Sequence, residues 1–163
     1  MRQDSAPVLE VIDEVRIVDL LTEDGGGSYE ASGVHLKDGY LYVVFDNDAR
    51  MLRLRPDWRK SAEPAVLLDL NGSSTGYEDL TYQPETKTWY CLIESVERKP
   101  GVFMPRLDEF DEAFHYTRSH WLNFPLKSGN KGFEGLSCYR YQGEDYMLCL
   151  CEGNDCKGGK AGQ

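Results

Sequence analysis

Apolar residues in this chain fall in short runs bounded by Gly, Pro, Asp and Asn, and ten Tyr, six Phe and three Trp enrich the chain in aromatic side chains. That pattern belongs to β-strands with one face buried. Three pairs of runs read as hairpins. Residues 31–36 lead through Lys37-Asp38-Gly39 into 40–45, and residues 80–82 lead through Pro84-Glu85-Thr86-Lys87 into 89–93. Residues 136–139 lead through Gln142-Gly143-Glu144 into 146–151. Asp-Gly and the Pro- or Gly-containing stretches supply the backbone conformations that tight turns need. Further runs at 51–55, 65–70, 103–110 and 115–124 read as outer strands, and 15–21 reads as an isolated one. The predicted fold class is all-β.

Each hairpin opens on the same short phrase. The copies are Ser28-Tyr29-Glu30-Ala31-Ser32-Gly33, Gly76-Tyr77-Glu78-Asp79-Leu80-Thr81 and Gly132-Phe133-Glu134-Gly135-Leu136-Ser137. Their glutamates lie 48 and 56 residues apart, the period of a β-propeller blade. Repeats starting near 28, 76 and 132 predict about two and a half to three blades of a single, partial propeller domain over 1–163. Residues 157–163 are rich in Gly and Lys and read as a flexible tail. Propellers typically close with about four to eight blades. Three arrangements are therefore open: the first half of a propeller of about six blades, two copies associating head to tail to close one ring, or an open array with exposed edges.

Each second strand ends in an acid, at Asp46, Glu94 and Glu152. The acid-to-acid spacings are 16, 16 and 18 residues, with midpoints in the predicted turns. An antiparallel hairpin of that symmetry returns both acids to its open end. Glu30, Glu78, Glu134, Asp46, Glu94 and Glu152 are therefore expected on one face, beside the channel. Clustered like charges need compensation. Arg50, Arg98 and Lys157 follow the second acids by four, four and five residues and are the expected partners.

The chain has 163 residues, 40% of them hydrophobic and 28% charged, enough for a globular domain with a core. A formal charge of −10 argues against nucleic acid or an anionic membrane as a partner. No run approaches the roughly 18 apolar residues of a membrane span. Residues 1–10 lack the apolar centre of a signal peptide, so a cytoplasmic location is expected if Met1 is the native start. Cys91, Cys138, Cys149, Cys151 and Cys156 match no zinc-ligand spacing and are expected to be structural or incidental thiols.

With Glu134-Gly135-Leu136-Ser137, Glu78-Asp79-Leu80-Thr81-Tyr82 before Pro84-Glu85-Thr86, and Glu152-Gly153-Asn154, the chain resembles the esterase-like/phytase-like β-propellers. More distantly it is similar to calcium-dependent lactonase-type six-bladed propellers. The resemblance implies a polar site at the channel mouth acting on phosphate or carboxylate esters. In the lactonase type a glutamate of this kind helps to hold a divalent metal.

Two classes of function follow. In the first, the six carboxylates hold Ca²⁺ or another divalent cation, which prefers several oxygen ligands, and the site hydrolyses esters. Arg50, Arg98, Lys131 and Lys157 would then bind an anionic substrate. In the second, the glutamates serve the blades themselves and the protein is a non-catalytic scaffold for a protein or small ligand. His115 and His120 are expected at the surface or in packing, and His35 in an innermost strand. No Gly-x-Ser-x-Gly elbow, Walker-type loop or dinucleotide fingerprint is present.

Overall fold

The computed structural model describes residues 10–21, 27–71 and 75–153, and within them ten strands form three antiparallel sheets. The first sheet holds β1 (Ala31–Lys37), β2 (Tyr40–Phe45), β3 (Arg50–Leu54) and β4 (Val66–Asp69), in that order. The second holds β5 (Tyr77–Gln83), β6 (Thr88–Lys99), β7 (Val102–Phe110) and β8 (Tyr116–Trp121), likewise in sequence order. The third is the hairpin of β9 (Phe133–Tyr141) and β10 (Glu144–Cys151). Among the described residues there is no α-helix and no sheet closes on itself. Among the described residues no helix is long and apolar enough to cross a membrane.

The hairpins form where turn chemistry predicts them. Asp38 and Gly39 have φ of +50° and +77° between the paired residues Lys37 and Tyr40, the two-residue turn that matches strand twist. Gln142 and Gly143 repeat that arrangement between Tyr141 and Glu144. Two expectations fail. Residues 15–21 contain only a single 3₁₀ turn, Ile17–Asp19, and no strand. The second strand of the middle hairpin does not stop before Glu94 but runs on as β6 to Lys99. It then turns through Pro100 and Gly101, whose φ of +73° only glycine adopts freely. The predicted tail, 157–163, lies outside the described residues.

The sheets stack face to face with their first strands, β1, β5 and β9, side by side. Between the first and second sheets lies an apolar layer that includes Val44, Met51, Leu80, Cys91 and Phe110. Trp89 anchors it, with ring centroids 4.7 Å from Tyr42, 5.0 Å from Tyr82 and 5.5 Å from His35. His35 is thus a packing residue here, and burial lowers its pKa below the usual histidine value. Between the second and third sheets Leu92, Leu107, Phe133, Leu136 and Cys151 form a second layer. A third cluster, Phe45, Leu52 and Leu54, sits on the far side of the first sheet, where Ile17, Leu20 and Leu21 pack over it.

Cys91, Cys138 and Cys149 are free, in line with the sequence reading. Cys151 is disulfide-bonded, which corrects the expectation of a thiol there. Cys156 lies outside the described residues.

A carboxylate cluster as candidate functional site

Strand register decides where the repeated glutamates go. At the start of every hairpin one residue is skipped by the pairing. Ala31 pairs with Phe45 and Gly33 with Val44, which leaves Ser32 over. Tyr77 pairs with Ile93 and Asp79 with Leu92, which leaves Glu78 over. Phe133 pairs with Cys151 and Gly135 with Leu150, which leaves Glu134 over. A β-bulge removes a residue from the strict face alternation and re-aims its side chain. Glu78 and Glu134 are bulge residues, and so is Glu94, beside the shift between Ile93 and Val96. The bulge equivalent in the first sheet is Ser32, so Glu30 stands two positions before the place its phrase suggests.

The bulged glutamates meet. Burial is the largest cause raising the Glu78 pKa to about 7, followed by the neighbouring charges of Glu134 and Asp46. Glu94 is likewise raised to about 7 by burial, then by a hydrogen bond and charge repulsion with Glu134, and by Glu78. The backbone N–H of Lys131 donates to the Glu94 carboxylate and offsets part of that rise. Glu134 also hydrogen-bonds Glu152. Glu152 forms a hydrogen-bonded ion pair with Lys131 that holds its pKa below the ordinary carboxylate range. Glu78, Glu94, Glu134, Glu152 and Asp46 therefore interact as one group, drawn from all three sheets.

The backbone at the cluster is fixed by close approaches. The Asp46 N–H donates to the Glu30 carbonyl at 3.0 Å, and the Gly76 N–H to the Asp46 carbonyl at 2.7 Å. The Glu152 N–H donates to the Gly132 carbonyl at 2.7 Å. A Cβ on Gly132 would stand 2.6 Å from the Glu94 carbonyl oxygen, so only glycine lets the two strands come this close.

Among the described residues, all the other expected site residues except Lys131 lie elsewhere. The Glu30 side chain is exposed, and its N–H is held by Asn47 Oδ1 at 3.0 Å. Arg50 pairs with Asp48 at 2.6 Å rather than with Asp46. Arg98 sits on the extension of β6, its guanidinium 5.5 Å from the Trp121 ring centroid and in contact with Met104 Sδ at 3.8 Å, not on Glu94. Lys131 does stand at the cluster. Lys157 lies outside the described residues. His115 pairs with Asp111 at 3.1 Å and His120 with Glu109 at 2.7 Å, at the outer strand β8 and the turn before it. Among the described residues no three His, Cys, Asp or Glu side chains are grouped so as to hold a metal ion.

Two residues escape a reading based on the glutamates. Asp79, the residue after Glu78, accepts the Leu136 N–H at 2.6 Å and the Leu80 N–H at 2.8 Å, and so joins two sheets. Its pKa is nevertheless raised by burial. Asp108, 1% exposed in mid-sheet, accepts from Arg106 at 2.9 Å, Tyr77 at 3.0 Å and Ser119 at 2.6 Å. Asp108 stands in the mixed stretch Arg106-Leu107-Asp108-Glu109, so no local pattern marks it as the buried acceptor of a network. No protein-family model matches the chain, and no curated protein matches it.

Proposed function

We propose that the chain is part of a β-propeller and that the carboxylate cluster at the first strands is a hydrolytic site for phosphate or carboxylate esters. The observation behind this reading is the convergence of five carboxylates from three sheets, with Glu78 and Glu94 at pKa values of about 7. A carboxyl poised near neutral pH beside an ionised one forms an acid–base pair. In this reading Glu94 gives its proton to the leaving oxygen as the ester bond breaks. Glu78 takes a proton from the water that attacks phosphorus or the carbonyl carbon, and Lys131 offers positive charge to an anionic substrate. The donor set is all oxygen, the chemistry of Ca²⁺ ligation. Among the described residues no three such side chains are grouped so as to hold a metal ion. The carboxyls carry the proton transfers, and calcium is a ligand to be titrated.

A second reading, a non-catalytic scaffold, draws on Glu94 accepting the Lys131 N–H and on Arg50 and Arg98 being engaged elsewhere. In that reading the glutamates hold neighbouring sheets together. Assay of p-nitrophenyl phosphate and p-nitrophenyl acetate, beside calcium calorimetry, separates the two. Hydrolysis is expected to follow an apparent pKa near 7 and to fall at least tenfold in Glu94→Gln. Absence of both turnover and calcium binding leaves the scaffold.

A further inference from the structure

The three stacked sheets repeat one contact, and the chain carries both halves of a third such contact unused. Register defines equivalent positions. Val44, Leu92 and Leu150 pair with Gly33, Asp79 and Gly135, the residues that directly follow the skipped position. Val34, Leu80 and Leu136 come one residue later on the first strands. Val44 and Leu80 belong to the first apolar layer, and Leu92 and Leu136 to the second. Val44 and Leu92 are 0% exposed, Leu80 1% and Leu136 7%. The next pair in the series would be Leu150 with Val34. They are 54% and 60% exposed, at opposite ends of the stack.

Their neighbours extend the match. On β10 Met147 and Cys149 pack toward the second sheet, whereas Tyr146, Leu148 and Leu150 remain exposed on the other face. On β1 His35 packs on Trp89, which leaves Val34 and Leu36 on the far face. A polar link also recurs by position. Thr81 Oγ1 accepts the Cys138 N–H at 3.1 Å across the second contact. Ser137 occupies the place of Thr81, and Leu36 that of Cys138. Ile17, Leu20 and Leu21 cover the cluster of Phe45, Leu52 and Leu54 and leave Val34 and Leu36 open.

We infer that two copies of this chain close on each other head to tail, the exposed face of β9–β10 in each docking on the exposed face of β1 in the other. Leu150 of one copy then meets Val34 of its partner, and the Ser137 hydroxyl accepts the Leu36 N–H. The occupant is a second copy because each face has the partner positions of the other. A stack of three sheets cannot bring its own ends together. Such a contact is heterologous, and two of them close a ring. The inference rests on the sheet stacking and is independent of the proposed hydrolysis. The charge of −10 per chain opposes association, so added salt is expected to strengthen it.

Light scattering and sedimentation velocity of the full chain, across concentration and at low and high salt, provide the test. A species of twice the chain mass is expected. Leu150→Asp and Val34→Asp should each abolish it, with far-UV circular dichroism and melting unchanged as the control for folding. If either aspartate variant unfolds, Leu150→Ser and Val34→Ser take its place. An equimolar mixture of the two variants should form dimers again, because one unmutated contact survives between them. A monomer at every concentration and salt overturns the inference. So does a dimer that tolerates Val34→Asp, which would mean a symmetric contact of β9–β10 with itself, and so do assemblies larger than two.

Discussion

The Asp79 carboxylate accepts the backbone N–H of Leu136 at 2.6 Å, across the boundary between β5 and β9. One residue thereby joins the second sheet to the third while its neighbour Glu78 enters the carboxylate cluster. Fixing the β5–β9 spacing also fixes how far Glu78 stands from Glu134. Structural and chemical roles are divided between adjacent residues of one phrase.

Asp79→Ala removes the acceptor for two amides, those of Leu80 and Leu136. Hydrogen bonds to a partly solvated charged acceptor are modest, and the loss should be about 1–3 kcal/mol in urea unfolding. If stability is unchanged, Asp79 does not hold the sheets together.

Glu78 and Glu94 have folded pKa values of about 7, above the 4.5 of an ordinary glutamate. A raised acid favours the folded state while it is protonated. Their contribution is full below about pH 4.5, declines as pH rises and is lost above about pH 7. Both groups are partly solvated, which holds the expected loss to about 1 kcal/mol each. Melting temperature should therefore fall between pH 5 and pH 8. The doubly substituted Glu78→Gln, Glu94→Gln protein should lose that fall and be more stable at the upper end of the range.

Gly132→Ala would place a Cβ 2.6 Å from the Glu94 carbonyl oxygen and 3.0 Å from Leu126 Cδ1. Backbone cannot yield as a flexible side chain does, so the overlap should cost about 1–3 kcal/mol. Gly143→Ala tests the contrast: its added Cβ meets nothing within 4 Å, but its φ is +86°. Destabilisation there would come from backbone strain alone. Nuclear magnetic resonance should accordingly show shifts near Glu94 only for Gly132→Ala.

Asp108→Ala would remove the buried acceptor shared by Arg106, Tyr77 and Ser119. Losing one member of a buried ion pair costs about 3–5 kcal/mol, one of the larger effects open to a single substitution. Exposed Asp69 supplies the comparison, and Asp69→Ala should change stability by less than about 0.5 kcal/mol. Equal effects at the two positions would contradict the role given to Asp108.

Trp89→Ala opens the layer between the first two sheets, where Tyr42, Tyr82 and His35 close on the indole. The expected cost is about 3–5 kcal/mol by thermal or chemical unfolding. Trp89→Phe keeps an aromatic surface and should recover more than half of it.

Much of the fold was legible in the chain because its signals are local. Asp38-Gly39 and Gln142-Gly143 make their turns from their own backbone preferences, and the continuous apolar runs at 40–45 and 146–151 mark β2 and β10 without outside help. The segment 15–21 misled because its apolar residues suit a strand. The position they cover, over Phe45 and Leu54, is filled by a 3₁₀ turn and needs no pairing. Arg98 misled for a related reason. Sequence spacing set it beside Glu94, but a bulge and a longer β6 carry it away to Trp121.

The sequence alone determined the strands, the hairpin turns and the gathering of acids at the hairpins' open ends, since strand period and turn chemistry depend on residues close in the chain. Only the tertiary structure decided which acids meet. Register slips at Glu78, Glu94 and Glu134 arise from pairing between strands, and pKa values near 7 arise from burial by neighbouring sheets. Glu30 carries the same phrase as Glu78, yet a shift of two positions in pairing gives its bulge to Ser32. Pairing and burial join residues far apart in the chain, so a local pattern fixes neither.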